Sequence, residues 1–284
     1  MTAPDVPFRR VAIVGLGLIG GSWGLALRKY GFSGVRVGCD RLEVLREAVA
    51  RGAVDEGDQD VRRAVAGADL VILATPVGTA IDLLAELKSD TAPEALVTDT
   101  GSTKQAICQQ ARQALGSEPF FLGGHPLAGK ERSGIENADA SLFEGAWYVL
   151  TPLEDSDTED GRAKAFAALV ASVGARVLFM DAGLHDRAAA FLSHLPQLIS
   201  TGLAALIEEQ PALPLEFAAT GFRDVTRLAE SPYAVWRDIC ATNTANIGEA
   251  IDAFIAELQR VKSALSNPDL EREFDRARRL RGKL

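Results

Sequence analysis

The stretch GGHPLAGKERSG, residues 123–134, places a histidine among glycines. Glycine and proline are poor formers of helix and strand interiors, so this composition favours a loop of fixed shape. His125 is one of only three histidines in 284 residues. Because an imidazole titrates near neutral pH, His125 is a candidate general base. The alternative is a histidine that only hydrogen-bonds carbonyl groups of its own loop.

The segments before this histidine alternate between strand and helix. Apolar runs predict strands at residues 10–15, 34–40 and 68–76, and further strands in ALVTDTGS, FFLGGHP, AWYVLTP and ARVLFMD. Strict alternation of this kind predicts an α/β fold with a doubly wound, Rossmann-type parallel sheet. His125 then follows the fifth strand at its carboxyl end, where open α/β sheets bind ligands.

A different pattern begins near Asp181, beyond which no strand signal remains. The segment LHDRAAAFLSHLPQLISTGLAALIEEQ predicts a long helix interrupted by Pro196, and most of the later sequence is also helical. We therefore predict an α/β domain at residues 1–182 and an all-helical domain at 183–284. A domain of about 100 apolar-rich residues buries its helices poorly alone, which favours a homodimer through these helices.

The loop after the first strand reads GLGLIGG and places glycines in the pattern G-x-G-x-x-G at Gly15, Gly17 and Gly20. Asp40 ends the next strand. In this context the pattern is the fingerprint of a dinucleotide-binding domain, because the glycines allow a tight turn, close approach of the pyrophosphate and close helix packing. The alternative is a glycine turn in an unrelated α/β fold.

The expected cofactor is NAD, because Asp40 can accept hydrogen bonds from the adenosine 2′-hydroxyl and would repel a 2′-phosphate. Arg41 is the residue that could instead favour NADP. LATPV and TDTGSTK end two further strands at the same edge of the sheet. Ser102 lies in TDTGSTK, and the alternative role for its side chain is that of a helix N-cap. The expected cofactor contacts are Gly15, Gly17, Leu18, Ile19, Gly20, Asp40, Arg41, Thr75, Pro76 and Ser102.

Polar residues of the helical part could complete a site. Arg227 can form a bidentate pair with a carboxylate and is a candidate substrate anchor; the alternative is a solvated surface arginine. His194, taken alone, reads as a core histidine with its hydrogen bonds satisfied. His185 precedes it by nine residues, and about 100° per residue would place the two on opposite faces of one helix. We therefore expect them to share no ligand.

Composition argues against several classes of protein. The net charge of −9 disfavours a nucleic-acid surface. Three well-separated cysteines and three histidines predict neither a disulfide framework nor a metal site. The N-terminus has no apolar signal region and we find no 18-residue apolar run, so a soluble, cytoplasmic protein without a membrane segment is expected.

Taken in order, GLGLIGGS, TDTGSTK, GGHPLAGKERSG, SHLP and GFRDVTRLAESPYAVWRDI resemble the prephenate/arogenate (cyclohexadienyl) dehydrogenase family of tyrosine biosynthesis. The likeness runs from about residue 9 to residue 265. It implies an NAD(P)-dependent enzyme that oxidises the carbon bearing the 4-hydroxyl of a cyclohexadienyl acid and releases the ring carboxylate as CO₂. The product would be 4-hydroxyphenylpyruvate from prephenate, or tyrosine from arogenate.

The same resemblance implies roles for individual residues. His125 would polarise the 4-hydroxyl and accept its proton, and Ser102 would orient His125 and touch the hydroxyl or the nicotinamide. His194 and Arg227 would hold the substrate. Glu131, on the loop after His125, would gate the site.

Two more positions are implied to border the substrate. Trp236 would help to close the site, from its own subunit or from a partner. Many relatives that use prephenate read SHLPH, whereas this chain has Gln197 in place of the second histidine. Positions 194 and 197 share a helix face, so Gln197 bears on the choice between keto acid and amino acid.

Two other functions fit the same architecture. A dehydrogenase of the β-hydroxyacid type would characteristically use a lysine of the helical domain as acid and base. A sensor that binds NAD without turnover would not need His125. The histidine-containing stretch favours the family named above over both.

Overall fold

An eight-stranded sheet with helices on both faces forms the first two thirds of the chain. The structure, a computed structural model, describes residues 7–130 and 132–283. The strands are β1 (Arg10–Val14), β2 (Val35–Cys39), β3 (Glu56–Asp58), β4 (Leu70–Leu73), β5 (Leu96–Asp99), β6 (Phe120–Pro126), β7 (Trp147–Pro152) and β8 (Arg176–Phe179). The accompanying helices are α1 (Leu18–Lys29), α2 (Leu42–Arg51), α3 (Val61–Val65), α4 (Val77–Leu87), α5 (Gln105–Ala114) and α6 (Gly161–Ser172).

The strands lie in the order β3-β2-β1-β4-β5-β6-β7-β8. The first six follow the doubly wound order of dinucleotide-binding domains, which confirms the predicted fold class. Along β1, Val11 and Ile13 pack into the apolar core on one face of the sheet, whereas Ala12 and Val14 pack into the core on the other. Because both faces are covered, β4 is apolar at every position and β1 at every position after Arg10.

The sheet is not parallel throughout, and here the prediction was wrong. β7 runs antiparallel to β6, and His125 lies opposite Val149 in that pairing. Only a 3₁₀ turn at Ile135–Asn137 separates the two strands among the described residues, since an antiparallel return needs no crossover helix. His125 therefore lies within β6, which has the bounds of the predicted strand FFLGGHP, and the loop favoured by its glycines begins only after Pro126.

Two edge elements, β3 and α3, escaped the sequence prediction. β3 contains only Glu56, Gly57 and Asp58, and a short polar strand at a sheet edge leaves no apolar periodicity to detect. The strand predicted at 68–76 is also shorter than expected. It spans Leu70–Leu73, and the residues after it leave the sheet.

The remainder of the described chain is helical. It contains α7 (Ala182–Ala189), a π-helical turn (Ala190–His194), α8 (Leu195–Glu208), α9 (Thr220–Thr226), α10 (Tyr233–Thr242), α11 (Thr244–Ala264) and α12 (Asp269–Arg281), with 3₁₀ turns at Leu215–Phe217 and Arg227–Glu230. A further 3₁₀ turn, Asp155–Glu159, precedes α6. β8 ends at Phe179 and α7 begins at Ala182; the domain limits 1–182 and 183–284 stay a prediction.

Pro196 widens the long helix without ending it, contrary to the expected interruption. The π-helical turn lies directly before this proline. Proline lacks an N–H group and clashes with the carbonyl four residues back, and a wider turn relieves that clash.

The helical part has a small core and much exposed apolar surface. Ala190, Ile247 and Ala250 are its buried apolar core, whereas Leu192 is 81% and Phe217 86% exposed. By length and composition, the helix Ala182–Glu208 is apolar enough to cross a membrane, a run that the sequence analysis did not recognise. A helix at a protein–protein interface passes the same test, and exposed apolar surface of this extent is typical of such an interface.

Candidate functional site

A cleft of about 740 Å³ lies between the sheet edge and the helical part. Gly17, Thr75 and Ser102 line it from the loops after β1, β4 and β5, and Gln197 and Arg227 line it from the helical side. The cleft thus lies at the carboxyl ends of the parallel strands, the position expected for a ligand in this fold.

The glycine turn after β1 has the shape that a pyrophosphate requires. Gly15 has a φ of +89°, and a Cβ there would lie 2.8 Å from the carbonyl oxygen of Ala74. A Cβ on Gly20 would overlap the carbonyl oxygen of Gly15, whereas one on Gly17 would meet no atom within 4 Å. Gly15 and Gly20 therefore make the turn and the helix packing possible, and Gly17 keeps the backbone accessible. Leu18 and Ile19 begin α1 and also line the cleft.

Two backbone N–H groups hold the carboxylate of Asp40, one at each oxygen. Its Oδ2 accepts a hydrogen bond from the N–H of Leu16 at 2.7 Å, and its Oδ1 accepts one from the N–H of Arg41 at 2.7 Å. Each carboxylate oxygen retains capacity for a further hydrogen bond. The Arg41 side chain is 83% exposed and its Nε lies 3.9 Å from Asp40, so it extends into solvent.

Thr75 and Pro76 form the wall of the cleft after β4. The Thr75 Oγ1 is buried and has no hydrogen-bond partner within residues 7–130 and 132–283. A buried hydroxyl without a partner is costly in a finished structure, and a bound ligand would relieve that cost. This hydroxyl and the glycine turn fit a dinucleotide at this edge.

Ser102 does not cap the helix that follows it. α5 begins at Gln105, and the N–H groups of Lys104 and Gln105 donate to the carboxylate of Asp186 at 2.6 Å and 2.9 Å. The alternative reading of Ser102 as an N-cap is therefore wrong. Ser102 is half-buried and lines the cleft.

A buried ion pair connects the Ser102 segment to the strand of His125. Lys104 and Asp99 are in direct contact, and both side chains are fully buried. Asp99 also accepts hydrogen bonds from the N–H of Gly101 at 2.8 Å and of Gly124 at 3.1 Å. A Cβ on Gly124 would lie 2.5 Å from the carbonyl oxygen of Asp99, so the glycine permits this approach.

His125 contacts a residue that the sequence analysis did not assign. Its Nδ1 lies 2.8 Å from Nε2 of His185, and Nδ1 of His185 lies 2.8 Å from Oδ1 of Asp186. His185 is 3% exposed and Asp186 is fully buried. The adjacent His-Asp pair at the start of a helix is the one sequence signal that could have indicated them.

Burial lowers the pKa of His125 well below its usual value of 6.5, and the neighbouring His185 and Lys104 side chains lower it further. The imidazole is therefore neutral at physiological pH, which is the form that can accept a proton.

His194 and Trp236 form the helical wall behind the cleft. His194 is 1% exposed, its Nδ1 lies 3.3 Å from Nδ2 of Asn243, and its ring meets the Trp236 ring edge-on at 5.8 Å. Trp236 donates from Nε1 to Ser231 Oγ at 2.9 Å, and Ser231 lines the cleft. Burial lowers the pKa of His194 to about 4.

Gln197 and Arg227 line the cleft directly. Gln197 is buried, and its Nε2 donates to the carbonyl oxygen of Leu228 at 2.7 Å. Its Oε1 is the remaining group that could accept a hydrogen bond from a ligand. Arg227 is exposed and begins a 3₁₀ turn. Glu131, the predicted gate, lies outside the described residues.

His185 and His194 do not diverge as a regular helix predicted. His185 contacts His125, and Nδ2 of Asn243 lies within hydrogen-bond distance of both the Asp186 carbonyl oxygen and Nδ1 of His194, at 2.8 Å and 3.3 Å. The π-helical turn between them advances by less than 100° per residue, which invalidates the assumption of opposite faces. No group of three or more potential ligands arranged for a metal ion occurs in the described chain.

The glycine turn, the acidic residue after β2 and a neutral histidine near one cleft define the class of two-domain, nicotinamide-dependent dehydrogenases. Comparison with known proteins identifies the family. A family model described as "Prephenate dehydrogenase, nucleotide-binding domain" matches residues 23–179, and one described as "Prephenate dehydrogenase, dimerization domain" matches residues 181–278. The chain belongs to the prephenate dehydrogenase family, as its motifs predicted.

Individual relatives resemble nearly the whole chain. The prephenate dehydrogenase of Bacillus subtilis is 36% identical, over 93% of this chain and 72% of the relative. A crystal structure of prephenate dehydrogenase from A. aeolicus with hydroxyphenyl propionate and NAD⁺ is 32% identical, with a TM-score of 0.91 over 98% of this chain and 99% of the other. Synechocystis arogenate dehydrogenase is 30% identical, with a TM-score of 0.82 over 96% of this chain and 99% of the other.

The lowered pKa values of His125 and His194 generate a prediction about acid stability. Their pKa values are lowered in the folded chain, that of His194 to about 4, and return to about 6.5 on unfolding. Between these values the unfolded chain binds more protons, so stability is lost as pH falls from about 6.5 towards 4, by up to about 1.4 kcal/mol per pH unit for each histidine.

Thermal unfolding at a series of pH values checks this expectation. His194→Gln cannot titrate, so its Tm should fall less steeply than that of the wild type below about pH 6.5. The wild type itself serves as control for the carboxylates, which titrate in both proteins. Parallel profiles of Tm against pH for the two proteins would contradict the lowered pKa of His194 in the folded chain.

Proposed function

We propose that this chain catalyses the NAD-dependent oxidative decarboxylation of prephenate and/or arogenate to 4-hydroxyphenylpyruvate and/or tyrosine. The observation that carries the proposal is a neutral, half-buried histidine beside a cleft that joins a dinucleotide turn to Arg227 and Gln197. The named activities of the B. subtilis and Synechocystis relatives support it. The direct test is the appearance of NADH absorbance with each substrate; turnover of neither would contradict the proposal.

The cofactor fits the residues present. Gly15, Gly17 and Gly20 would hold the pyrophosphate at the N-terminus of α1, and Asp40 would accept from the adenosine ribose. Thr75, with its unpartnered hydroxyl, and Ser102 lie where the nicotinamide half would extend along the cleft. When bound, NAD⁺ supplies the hydride acceptor.

His125 handles the proton. As hydride leaves C4, His125 accepts the proton of the 4-hydroxyl and so prevents positive charge from building up on that oxygen. The C–C bond to the ring carboxylate then breaks, and its electron pair makes the ring aromatic. His125 returns the proton to the phenolate oxygen, so no net proton is consumed. The substrate's own aromatisation supplies much of the driving force, and the residues mainly orient and polarise.

The helical wall holds the substrate. Arg227 provides a guanidinium for a substrate carboxylate, and it can do so bidentately. His194 is neutral and buried against Trp236, so it serves as a hydrogen-bonding and packing group and not as a cation. Glu131 follows Lys130, which lines the cleft, and we retain it as the gate.

Gln197 bears on the choice of substrate. Its Nε2 is committed to Leu228, which leaves Oε1 to accept a hydrogen bond. The ammonium group of arogenate can donate to this oxygen, whereas the keto oxygen of prephenate cannot. We therefore propose that arogenate is accepted, with prephenate as the other substrate to compare.

The proposed enzyme is a cytoplasmic homodimer joined through its helical part. The match to a dimerisation domain at residues 181–278 and the exposed apolar surface of α8 support the dimer. Three free cysteines suit a reducing compartment. The rival β-hydroxyacid chemistry is not favoured, since Lys262 and Lys283, the only lysines after residue 182, are both exposed.

Replacement of the base gives the first kinetic prediction. His125→Asn should lower kcat by about 10²–10⁴, the usual contribution of a general base, because an amide cannot accept the proton. NAD affinity, measured by calorimetry, should stay nearly unchanged, since His125 lies outside the phosphate-binding turn. Near-normal turnover in this variant would reduce His125 to a structural residue.

Asp40 generates a prediction about cofactor choice. NAD should give at least about a tenfold higher kcat/KM than NADP, because the carboxylate repels a 2′-phosphate. Asp40→Ser should lower the ratio of kcat/KM for NAD to kcat/KM for NADP. Arg41→Ala is the matched control: its side chain is 83% exposed, so NAD kinetics should barely change. A wild-type preference for NADP would assign Arg41 as a phosphate ligand and overturn the interpretation.

Two variants test Arg227 as the substrate anchor and Gln197 as the residue that selects between prephenate and arogenate. Arg227→Ala should raise KM for both substrates roughly tenfold to a hundredfold, because both carry carboxylates and one would lose a charge-assisted contact. Arg223→Ala, on α9 four residues earlier and outside the cleft lining, is the control. Gln197→His should shift the ratio of kcat/KM values towards prephenate, since an imidazole that becomes protonated repels the ammonium of arogenate.

NAD kinetics should be the same in wild type and Gln197→His. An unchanged substrate ratio would place Gln197 outside the substrate contacts, and equal losses in the two arginine variants would remove the anchoring role from Arg227.

A further inference from the structure

His125 contacts His185, and the Asn243 side chain connects the backbone of Asp186 to His194, although the proposed chemistry uses only two of these three histidines. The third, His185, occupies the space between His125 and Asp186 and hydrogen-bonds both, at 2.8 Å on each side. It is 3% exposed, so water does not compete for these bonds. A buried histidine with both ring nitrogens engaged has its proton positions set by its partners.

The direction of each hydrogen bond follows from Asp186. Its carboxylate accepts from the N–H groups of Lys104 and Gln105, so it acts as an acceptor towards His185 as well. Nδ1 of His185 is then the donor, and in a neutral imidazole Nε2 is left as an acceptor. The facing Nδ1 of His125 must donate to it. Nε2 of His125 therefore carries the lone pair.

We propose that His185, oriented by Asp186, is a positioning residue that fixes the tautomer of His125 and so makes Nε2 the atom that accepts the substrate proton. The identity of the reaction rests on the proposed function, whereas the tautomer is a property of the protein itself. Without the acceptor on His185, His125 is free to carry its proton on Nε2, where it cannot act as the base.

The same hydrogen bonds also stabilise His125 while it is protonated and positively charged. When Nε2 takes the proton, the Nδ1–H of His125 remains hydrogen-bonded to His185, and the positive charge faces the Asp186 carboxylate through that ring. The proton itself goes no further than His125 and is returned from Nε2 to the product oxygen. An ordered His–carboxylate partner supports a general base in this way without accepting the proton.

A nitrogen-15 NMR spectrum of the NAD-saturated protein, labelled in its imidazole rings, reads the tautomer directly. Only three histidines contribute, and His194→Gln and His125→Asn assign them. We expect His125 protonated at Nδ1 and bare at Nε2, and His185 protonated at Nδ1. A wild-type His125 protonated at Nε2 would overturn the proposal, whether or not any variant folds.

Two substitutions at position 185 separate positioning from packing. His185→Leu removes both hydrogen bonds and should lower kcat about tenfold to a hundredfold, the usual effect of losing an orienting partner, with substrate KM and NAD affinity within about threefold. It should also move the proton of His125 to Nε2. His185→Gln, whose amide offers one donor and one acceptor, should restore a large part of kcat and the original tautomer.

Ile247→Ala is the control for loss of packing, because Ile247 belongs to the apolar core of the helical part. Its kcat should stay within about twofold although its Tm falls. A His185→Leu variant with wild-type kcat, or a kcat loss in Ile247→Ala equal to that in His185→Leu, contradicts the positioning role. If the wild type turns over neither substrate, the proposed function fails, while the spectrum still decides the tautomer.

Discussion

The buried carboxylate of Asp186 holds the helical part to the sheet at the point where the chemistry is placed. It accepts from two backbone N–H groups at the start of α5 and from the ring of His185. A buried carboxylate left without partners would cost several kcal/mol, so it is stable only where these donors converge. The start of α5, the helix α7 and the ring of His125 can therefore not move independently.

A buried ion pair also holds the segment that precedes α5. The ion pair of Lys104 and Asp99 lies in the protein interior, and Asp99 also binds the N–H groups of Gly101 and Gly124. Desolvation cancels most of the net stability of such a pair, yet loss of one partner typically costs about 3–5 kcal/mol. Its main consequence is geometric, because it fixes the Ser102 segment against the strand of His125.

The parts of the site that could be predicted from sequence are those made by neighbours in the chain. Gly15, Gly17, Gly20 and Asp40 lie in one β-α-β unit, whose chain order alone brings them together. His125 was assigned as the base by its type and its place after an apolar run. The strand FFLGGHP that contains it was predicted, whereas its antiparallel pairing with β7 was not, because no local pattern marks the relative direction of two strands.

His185 and Asp186 could not be found in the same way. They lie about 60 residues from His125, and their contact depends on how α7 packs against β6 and β7. The assumption of a regular helix affected only the relation of His185 to His194, because the π-helical turn before Pro196 changes the angle between these two positions. Local rules describe neighbours in the chain, whereas the contact of His185 with His125 joins α7 to β6 through tertiary packing.

The two walls of the cleft differ in how firmly they are held. The wall of His125 is fixed by buried charges and a paired strand. The opposite wall, α9 and the turn Arg227–Glu230, has no buried residue, and α10 has only Ile239. Segments with few buried contacts move at low cost. The recognition side can therefore close on a substrate, while the proton acceptor on the other side keeps its position throughout.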